Sequence, residues 1–345
     1  MDQKNIRAAL LLESYERLQR DYAALQERLS ETERERDRLR QSYEDIENAT
    51  LWRISAPLRR LLDRNSLPSA VPALPPLETP PEHTTPEPAR HPLISVIIPS
   101  RDHAAELSLC VESVLRRSSY RNFEILIIEN GSREPETERL YAALAEDARV
   151  RLLRWEKPFN YAALQNFAAR EARGEVLLLL NNDTAVLTPG WLEELLSPVL
   201  RPDVGIVGAK LLYEDGRIQH AGLTLRAGGE DYHLYRFAPR DAAGEDGELL
   251  RVREVDAVTG ACLMIRKSVW EELGGMDESF PLTFNDADLC LRARERGYRV
   301  VCTPFAELLH RECATRGSDT DPDRRAAFRE AEKRFRERWG AQEEN

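Results

Sequence analysis

Five cysteines in 345 residues, Cys110, Cys262, Cys290, Cys302 and Cys313, are few and odd in number, and no two form a C-x-x-C pair. That spacing disfavours a disulfide framework and a structural zinc site, and predicts reduced thiols that serve as small core residues. Cations are also in deficit: 49 Lys and Arg against 60 Asp and Glu leave a net charge of -11. A nucleic-acid binder that relies on a broad basic surface needs the opposite balance. No apolar run reaches the ~18 residues of a membrane-spanning helix, and Met1-Asp2-Gln3-Lys4 leads into a charged stretch rather than a signal-peptide apolar region. The expected location is cytoplasmic. There is no G-x-x-x-x-G-K-[ST] loop and no G-x-G-x-x-G after the first predicted strand, which argues against P-loop NTPases and ordinary dinucleotide dehydrogenases.

What is present changes character along the chain. From Leu11, the positions Tyr15, Leu18, Tyr22, Leu25, Leu29, Thr32, Arg36, Leu39, Tyr43 and Ile46 follow alternating steps of four and three without Pro or Gly. That spacing predicts a coiled coil of about five heptads, and hence a homo-oligomer, with a single solvated helix as the alternative. Trp52, Ile54, Leu58, Leu61 and Leu62 then alternate with Arg53, Arg59 and Arg60. Such a segment suits the anionic inner face of a plasma membrane, or packing on the protein itself, and Pro57 interrupts any single helix there. Prolines recur from Pro68 to Pro92, so this stretch is expected to be an extended spacer and a domain boundary.

Beyond the spacer, residues 93–99, 123–129, 150–155 and 176–181 read as buried strands, separated by helical patterns over 104–116, 135–146 and 161–172. The series predicts a mostly parallel α/β sheet, in which ligands bind beyond the carboxyl ends of the strands. Residues 100–103, 129–132 and 181–184 should therefore meet at one crevice. The second half reads as mixed sheet, with strands at 204–213, 261–266 and 299–302. Helices are expected at 286–296 and from Asp321, as N-cap of Pro322, to about Trp339.

Three places carry candidate chemistry. Leu177 to Leu180 is a fully apolar strand that ends in Asn181-Asn182-Asp183-Thr184. A carboxylate at such a tip suits a divalent cation that binds a diphosphate, or it caps a helix near Pro189 or closes a turn. Asp286 and Asp288, two residues apart at a helix start, cannot share a face. One can hold structure while the other serves as a general base, or both are partners of the helix dipole. His310, after Leu308-Leu309, is a structural histidine or the imidazole that completes the Asp183 site. His220 reads as structural or acceptor-facing.

In order and spacing, residues 94–102, 123–132, 160–183, 259–266 and 284–292, with His310, resemble glycosyltransferase family 2 on a GT-A fold. The resemblance runs over about residues 92–317 and looks closest to bacterial O-antigen and rhamnosyltransferase-like enzymes. It implies a Rossmann-like nucleotide-binding half and a mixed-sheet acceptor half over 93–317. The expected flanks are a coiled coil over 1–50, a basic amphipathic segment over 51–64, a Pro-rich linker over 65–92 and a C-terminal helix over 318–345.

Carried over by position, the resemblance implies that Ser100, Arg101 and Asp102 line a nucleotide pocket and that Glu129 stands where an Asp usually contacts the base. Asn160 and Asn166 flank the helix beneath the nucleotide. Asn181 and Asn182 lead to Asp183, the last acid of a D-x-D metal motif whose first acid Asn181 replaces. Asp286 matches the catalytic base, with Asn285 in place of the usual Glu, and His310 matches a metal-binding histidine. Thr259, Gly260, Ala261 and Trp270 are candidates for the sugar or acceptor site, with packing as the alternative for Trp270.

The implied reaction is inverting transfer from a UDP-, dTDP- or GDP-sugar to a glycan acceptor, lipid-linked or free. It would be assisted by Mn²⁺ or Mg²⁺, with Mn²⁺ at least as effective. A non-catalytic scaffold subunit of a polysaccharide-assembly complex is the alternative favoured by Asn181 and Asn285. A nucleotidyltransferase ranks third, because no glycine-rich, Arg-containing loop follows the first strand.

Overall fold

A computed structural model describes residues 83–226, 230–311 and 322–340. The expected coiled coil, the basic segment, Cys313 and Asp321 lie outside the described residues. The first half alternates strand and helix as its sequence pattern demands: β1 (Ile94–Ser100), α1 (Ala104–Arg117), β2 (Phe123–Glu129), α2 (Pro135–Leu144), β3 (Val150–Arg154), α3 (Tyr161–Glu171) and β4 (Val176–Leu180). β1 pairs in parallel with β2 and β4, and β2 in parallel with β3. All five residues of β4 are fully buried, because helices cover both faces of the sheet. Leu178 and Leu180 join the cluster around Trp191, and Leu177 and Leu179 the cluster around Leu164 and Trp270. Each such leucine contributes about 2 kcal/mol of transfer free energy.

The second half continues the same sheet with mixed directions. After β5 (Thr184–Val186) and α4 (Trp191–Val199) come β6 (Val204–Leu212), β7 (Ile218–His220), the hairpin β8 (Leu223–Arg226) and β9 (Glu230–His233), and β10 (Arg253–Glu254). β11 (Cys262–Arg266), α5 (Lys267–Leu273), α6 (Asn285–Glu295), β12 (Arg299–His310) and α7 (Pro322–Trp339) follow. The strand order is β10-β12-β6-β11-β4-β1-β2-β3, with β11 antiparallel to both β4 and β6.

β12 runs well past Cys302, where the sequence pattern ends its strand. Pro304 falls in an irregularity between Thr303 and Glu307, after which pairing with β6 resumes. A bulge tolerates the proline that a regular central strand would not. This extension has a functional consequence: the end of β12 turns to pair antiparallel with β5, His310 opposite Thr184. Residues 83–92, the described end of the Pro-rich stretch, form no helix or strand yet lie against the domain. The His83 ring stacks on Phe305 at 3.5 Å, its Nε2 is 2.7 Å from Glu194, and Tyr120 donates to the Pro92 carbonyl at 2.6 Å. Cys110, Cys262, Cys290 and Cys302 are buried free thiols, with burial pushing Cys110 up to about 12. Among the described residues, no helix is long and apolar enough to cross a membrane.

Candidate active site

The loops after β1, β2 and β4 converge, as the parallel topology requires, and line a cleft of about 650 Å³ with the segment 259–261 and the start of α6. On one side stand Ser100, Arg101, Asp102, Asn181 and Asn182. Asp102 has a left-handed backbone, φ 55°. Its Oδ1 accepts from the Arg133 and Glu134 amides at 2.6 and 2.9 Å, which ties this loop to the one after β2. Burial raises the Asp102 carboxyl, but those two amides, with Arg101 and His103, outweigh it and hold the group below its ordinary 3.8.

Asp183 follows β4 directly and is 6% exposed. It caps no helix, since α4 begins only at Trp191 after Gly190. Its Oδ1 has no hydrogen-bond partner among the described residues, although His310 Nε2 lies 3.3 Å away. On the other side of that ring, His310 Nδ1 is 2.6 Å from Gln219 Oε1. An amide oxygen only accepts, so in the neutral ring Nδ1 carries the proton and Nε2, 3.4 Å from the Asn181 amide nitrogen and beside Asp183, keeps a lone pair. The Gln219 amide nitrogen donates to the His310 carbonyl at 3.2 Å, which fixes the orientation of that amide.

An orphaned buried carboxylate oxygen beside an imidazole lone pair fits a divalent cation that keeps further positions for diphosphate oxygens. Among the described residues no group of three His, Cys, Asp or Glu is placed to hold a metal ion; the further polar side chain beside this pair is the amide of Asn181, 3.4 Å from His310 Nε2.

The two acids of α6 separate cleanly. Asp288 is fully buried and paired with Arg292 and Arg338, each at 2.7 Å, and with Trp339 Nε1 at 3.1 Å. Asp286 faces the cleft. Its Oδ2 accepts from the Gly260 amide at 2.7 Å and its Oδ1 from the Ala287 amide at 2.9 Å, so both oxygens are oriented and each retains a lone pair. Thr259, Gly260 and Ala261 line the cleft beside it. A Cβ on Gly260 would stand 3.3 Å from the Tyr161 hydroxyl and 3.6 Å from Asp286 Oδ2, so the absent side chain allows this close approach. Asn285 donates to the Phe280 carbonyl at 3.3 Å and holds the preceding loop.

Besides Asp288, five residues singled out in the sequence stand apart from the cleft lining. Glu129 is buried, accepts from the Ser132 amide at 2.5 Å and pairs with Arg154 at 3.3 Å; its neighbour Asn130 lines the cleft instead. Asn160 caps α3, accepting from Ala163 and donating to the Glu278 carbonyl. Asn166 clasps the Met276 backbone in both directions at 2.9 Å. Trp270 is a core residue. His220 is fully buried, 3.0 Å from His233 through their Nδ1 atoms, with its Nε2 accepting from the Thr259 amide at 3.4 Å. Burial first, then His233, His310 and Arg253, keep it neutral well below its ordinary 6.5.

Sequence reasoning placed Asn130 at the crevice only as part of the loop 129–132, and it passed over Gln219, Tyr161 and Phe328. Gln219 alone carried a signal, as a polar residue one position before His220 in a short apolar run. The others acquire a role only through contacts distant in sequence.

The profile described as glycosyl transferase family 2 matches residues 95–274, just over half of the chain. An uncharacterized protein, y4gI, of Sinorhizobium fredii is 45% identical over 250 residues, covering 72% of this chain and 28% of its own length. The O-antigen biosynthesis protein RfbC of Myxococcus xanthus is 41% identical over 67% of this chain and 18% of its own. This chain thus spans less than a third of either relative. An N-acetylglucosaminyl-diphospho-decaprenol L-rhamnosyltransferase of Mycobacterium tuberculosis is 27% identical over 62% of this chain and 72% of its own.

Among solved structures, GalNAc-T7 with UDP, GalNAc and Mn²⁺ superposes with a TM-score of 0.58 at 17% identity, over 74% of this chain and 49% of that one. A Pyrobaculum calidifontis mannosyltransferase with GDP-Man and Mn²⁺ gives 0.52 at 19%, over 74% and 67%. These likenesses establish the GT-A fold. With the profile spanning β1 to α5 and the sheet order in place, the chain belongs to glycosyl transferase family 2.

Proposed function

We propose that this chain transfers a sugar from a nucleoside-diphosphate-sugar to a glycan of a bacterial surface polysaccharide, by a single displacement with inversion. The observation that carries the reading is one cleft presenting Asp183 and His310 beside Asp286, residues brought together from three elements. The names of the O-antigen and rhamnosyltransferase relatives support the substrate class.

In this reading Asp286 takes the proton of the acceptor hydroxyl, with its lone pairs aimed by the Gly260 and Ala287 amides. The loop 100–102 and the amides of Asn181 and Asn182 hold the nucleotide. Asp183 and His310 Nε2 would hold a divalent cation, Mn²⁺ or Mg²⁺, and Gln219 fixes the imidazole tautomer. When bound, such a cation neutralises charge on the leaving diphosphate. UDP-, dTDP- and GDP-sugars remain the donor panel, and the acceptor is a free or lipid-linked glycan. The heptad spacing in the sequence of residues 1–50 is the ground for proposing a homo-oligomer, and the Trp, Leu and Arg content of residues 51–64 for proposing contact with the inner face of the membrane.

The deciding experiment measures nucleoside-diphosphate release from each donor with a glycan acceptor panel, with Mn²⁺ or a chelator, on wild type and Asp286→Asn. Acceptor-stimulated, metal-dependent release that disappears in the variant supports the reading. Nucleotide binding without release from any donor favours the scaffold alternative, for which Asn181 and Asn285 speak.

A further inference from the structure

Five large apolar side chains are exposed among the described residues, and two of them, Phe328 at 45% and Phe159 at 47%, line the cleft that holds Asp286. Phe328 belongs to α7, beyond the residues matched by the family profile. Ala331, Phe335 and Trp339 follow it at helical spacing on the same face. Ala331 and Phe335 are buried against the domain, whereas Phe328, nearer the helix start, reaches the cleft rim.

Phe328 is held in place by its neighbours. Its ring packs on Phe284 with centroids 5.5 Å apart, and Phe284 stacks on Phe335 at 4.9 Å. Phe284 occupies the N-cap of α6 with φ 64°, two residues before Asp286. The far end of α7 is anchored by Arg338, 2.7 Å from both Asp277 and Asp288, and Arg334 donates to the Ser279 carbonyl. Phe159 is tied to the same loop from the other side of the sequence. Asn160 donates to the Glu278 carbonyl at 2.8 Å and Tyr161 to the Pro281 carbonyl at 2.7 Å.

A phenyl ring left half in water has no polar atom to hydrate, so what it gains from a ligand is contact with an apolar face. A pyranose presents such a face through its axial C–H groups, while its hydroxyls point outward. We infer that Phe328, with Phe159 as a second ring, forms a stacking wall for the acceptor sugar, and that the acceptor residue is a pyranose. The assignment to acceptor rather than donor rests on the reading of Asp286 as the base, because Phe328 packs on Phe284, two residues before Asp286 at the start of α6, and lines the same cleft.

Saturation-transfer NMR on the full chain tests this with methyl α-L-rhamnopyranoside, methyl β-D-glucopyranoside and methyl β-D-galactopyranoside as probes, with UDP affinity measured alongside. In wild type, at least one glycoside receives saturation from aromatic protons on its ring C–H positions. Phe328→Ala and Phe328→Leu weaken that transfer about fivefold, as the loss of one aromatic contact implies, and Phe328→Trp keeps it. UDP affinity stays within about twofold in all three variants. Leucine preserves apolar packing on Phe284, so loss in both variants isolates the ring from the fold.

No glycoside signal in wild type, an undiminished signal in Phe328→Leu, or a fall in UDP affinity in its place overturns the inference. Because the experiment reads binding and not turnover, its failure is distinct from a failure of the release assay.

Discussion

His310 Nε2 stands 3.3 Å from Asp183 Oδ1 with no hydrogen bond joining them, while Gln219 Oε1 holds the opposite nitrogen of the ring at 2.6 Å. A protonated Nδ1 held on the amide oxygen suits the proposed role of the cleft-facing nitrogen as a cation ligand. Gln219→Leu removes that lock, and Mn²⁺ affinity, followed by electron paramagnetic resonance in the presence of UDP, should fall about 10- to 100-fold. Gln219→Glu, which still accepts from Nδ1, should retain it. Equal affinity in Gln219→Leu and wild type would remove Gln219 from the site.

Asp286 and Asp288 should fail in different ways. Asp286→Asn keeps an acceptor for the Gly260 amide and should lower transfer by about 10²- to 10⁴-fold, the usual range for a lost general base. Its thermal unfolding should shift little. Asp288→Asn removes a fully buried carboxylate shared by Arg292, Arg338 and Trp339, and should cost about 3 kcal/mol in denaturant unfolding. If Asp288→Asn proved neutral and Asp286→Asn unfolded the protein, the division of labour would be reversed.

His220 predicts a pH dependence of stability. Its folded pKa is depressed, so below the ordinary value of 6.5 the unfolded chain binds a proton that the folded one refuses. The contribution is complete above pH 6.5 and is lost as pH falls toward the folded value. Urea midpoints should decline on acidification through this window, and His220→Gln should flatten the decline. An unchanged slope in the variant would assign the effect to other groups.

Asp102 joins the loops after β1 and β2 through two amides. Asp102→Ala should weaken UDP binding by about tenfold, equivalent to 1.4 kcal/mol, whereas Asp102→Asn, which keeps one oxygen acceptor, should stay close to wild type. Calorimetric titration separates the two, and similar affinities in both would show that the loop holds its shape without this pin.

The β1 to β4 half is legible in the sequence because its strands are buried on both faces. Val176 to Leu180 therefore reads as an unbroken apolar run, and its end at Asn181 is an abrupt change of polarity. The end of β12 is not legible, since Pro304 stops the pattern and only a bulge restores the pairing that delivers His310 to Thr184. Glu129 shows the limit of positional reasoning: residue type and place suit a base contact, yet the Ser132 amide and Arg154 already engage its carboxylate.

By itself the sequence determined the strands and helices of the β1 to β4 half, where the polar loops that end those strands fall, and that Asp183, Asp286 and His310 are candidates. Each of these follows from local periodicity and residue chemistry. Only the tertiary structure decided which of two neighbouring acids faces the cleft, which nitrogen of His310 keeps its lone pair, and that Phe328 stands at the rim. Those depend on hydrogen bonds and packing between residues far apart in the chain, such as Gly260 to Asp286, Gln219 to His310 and Phe284 to Phe328, which no local pattern records.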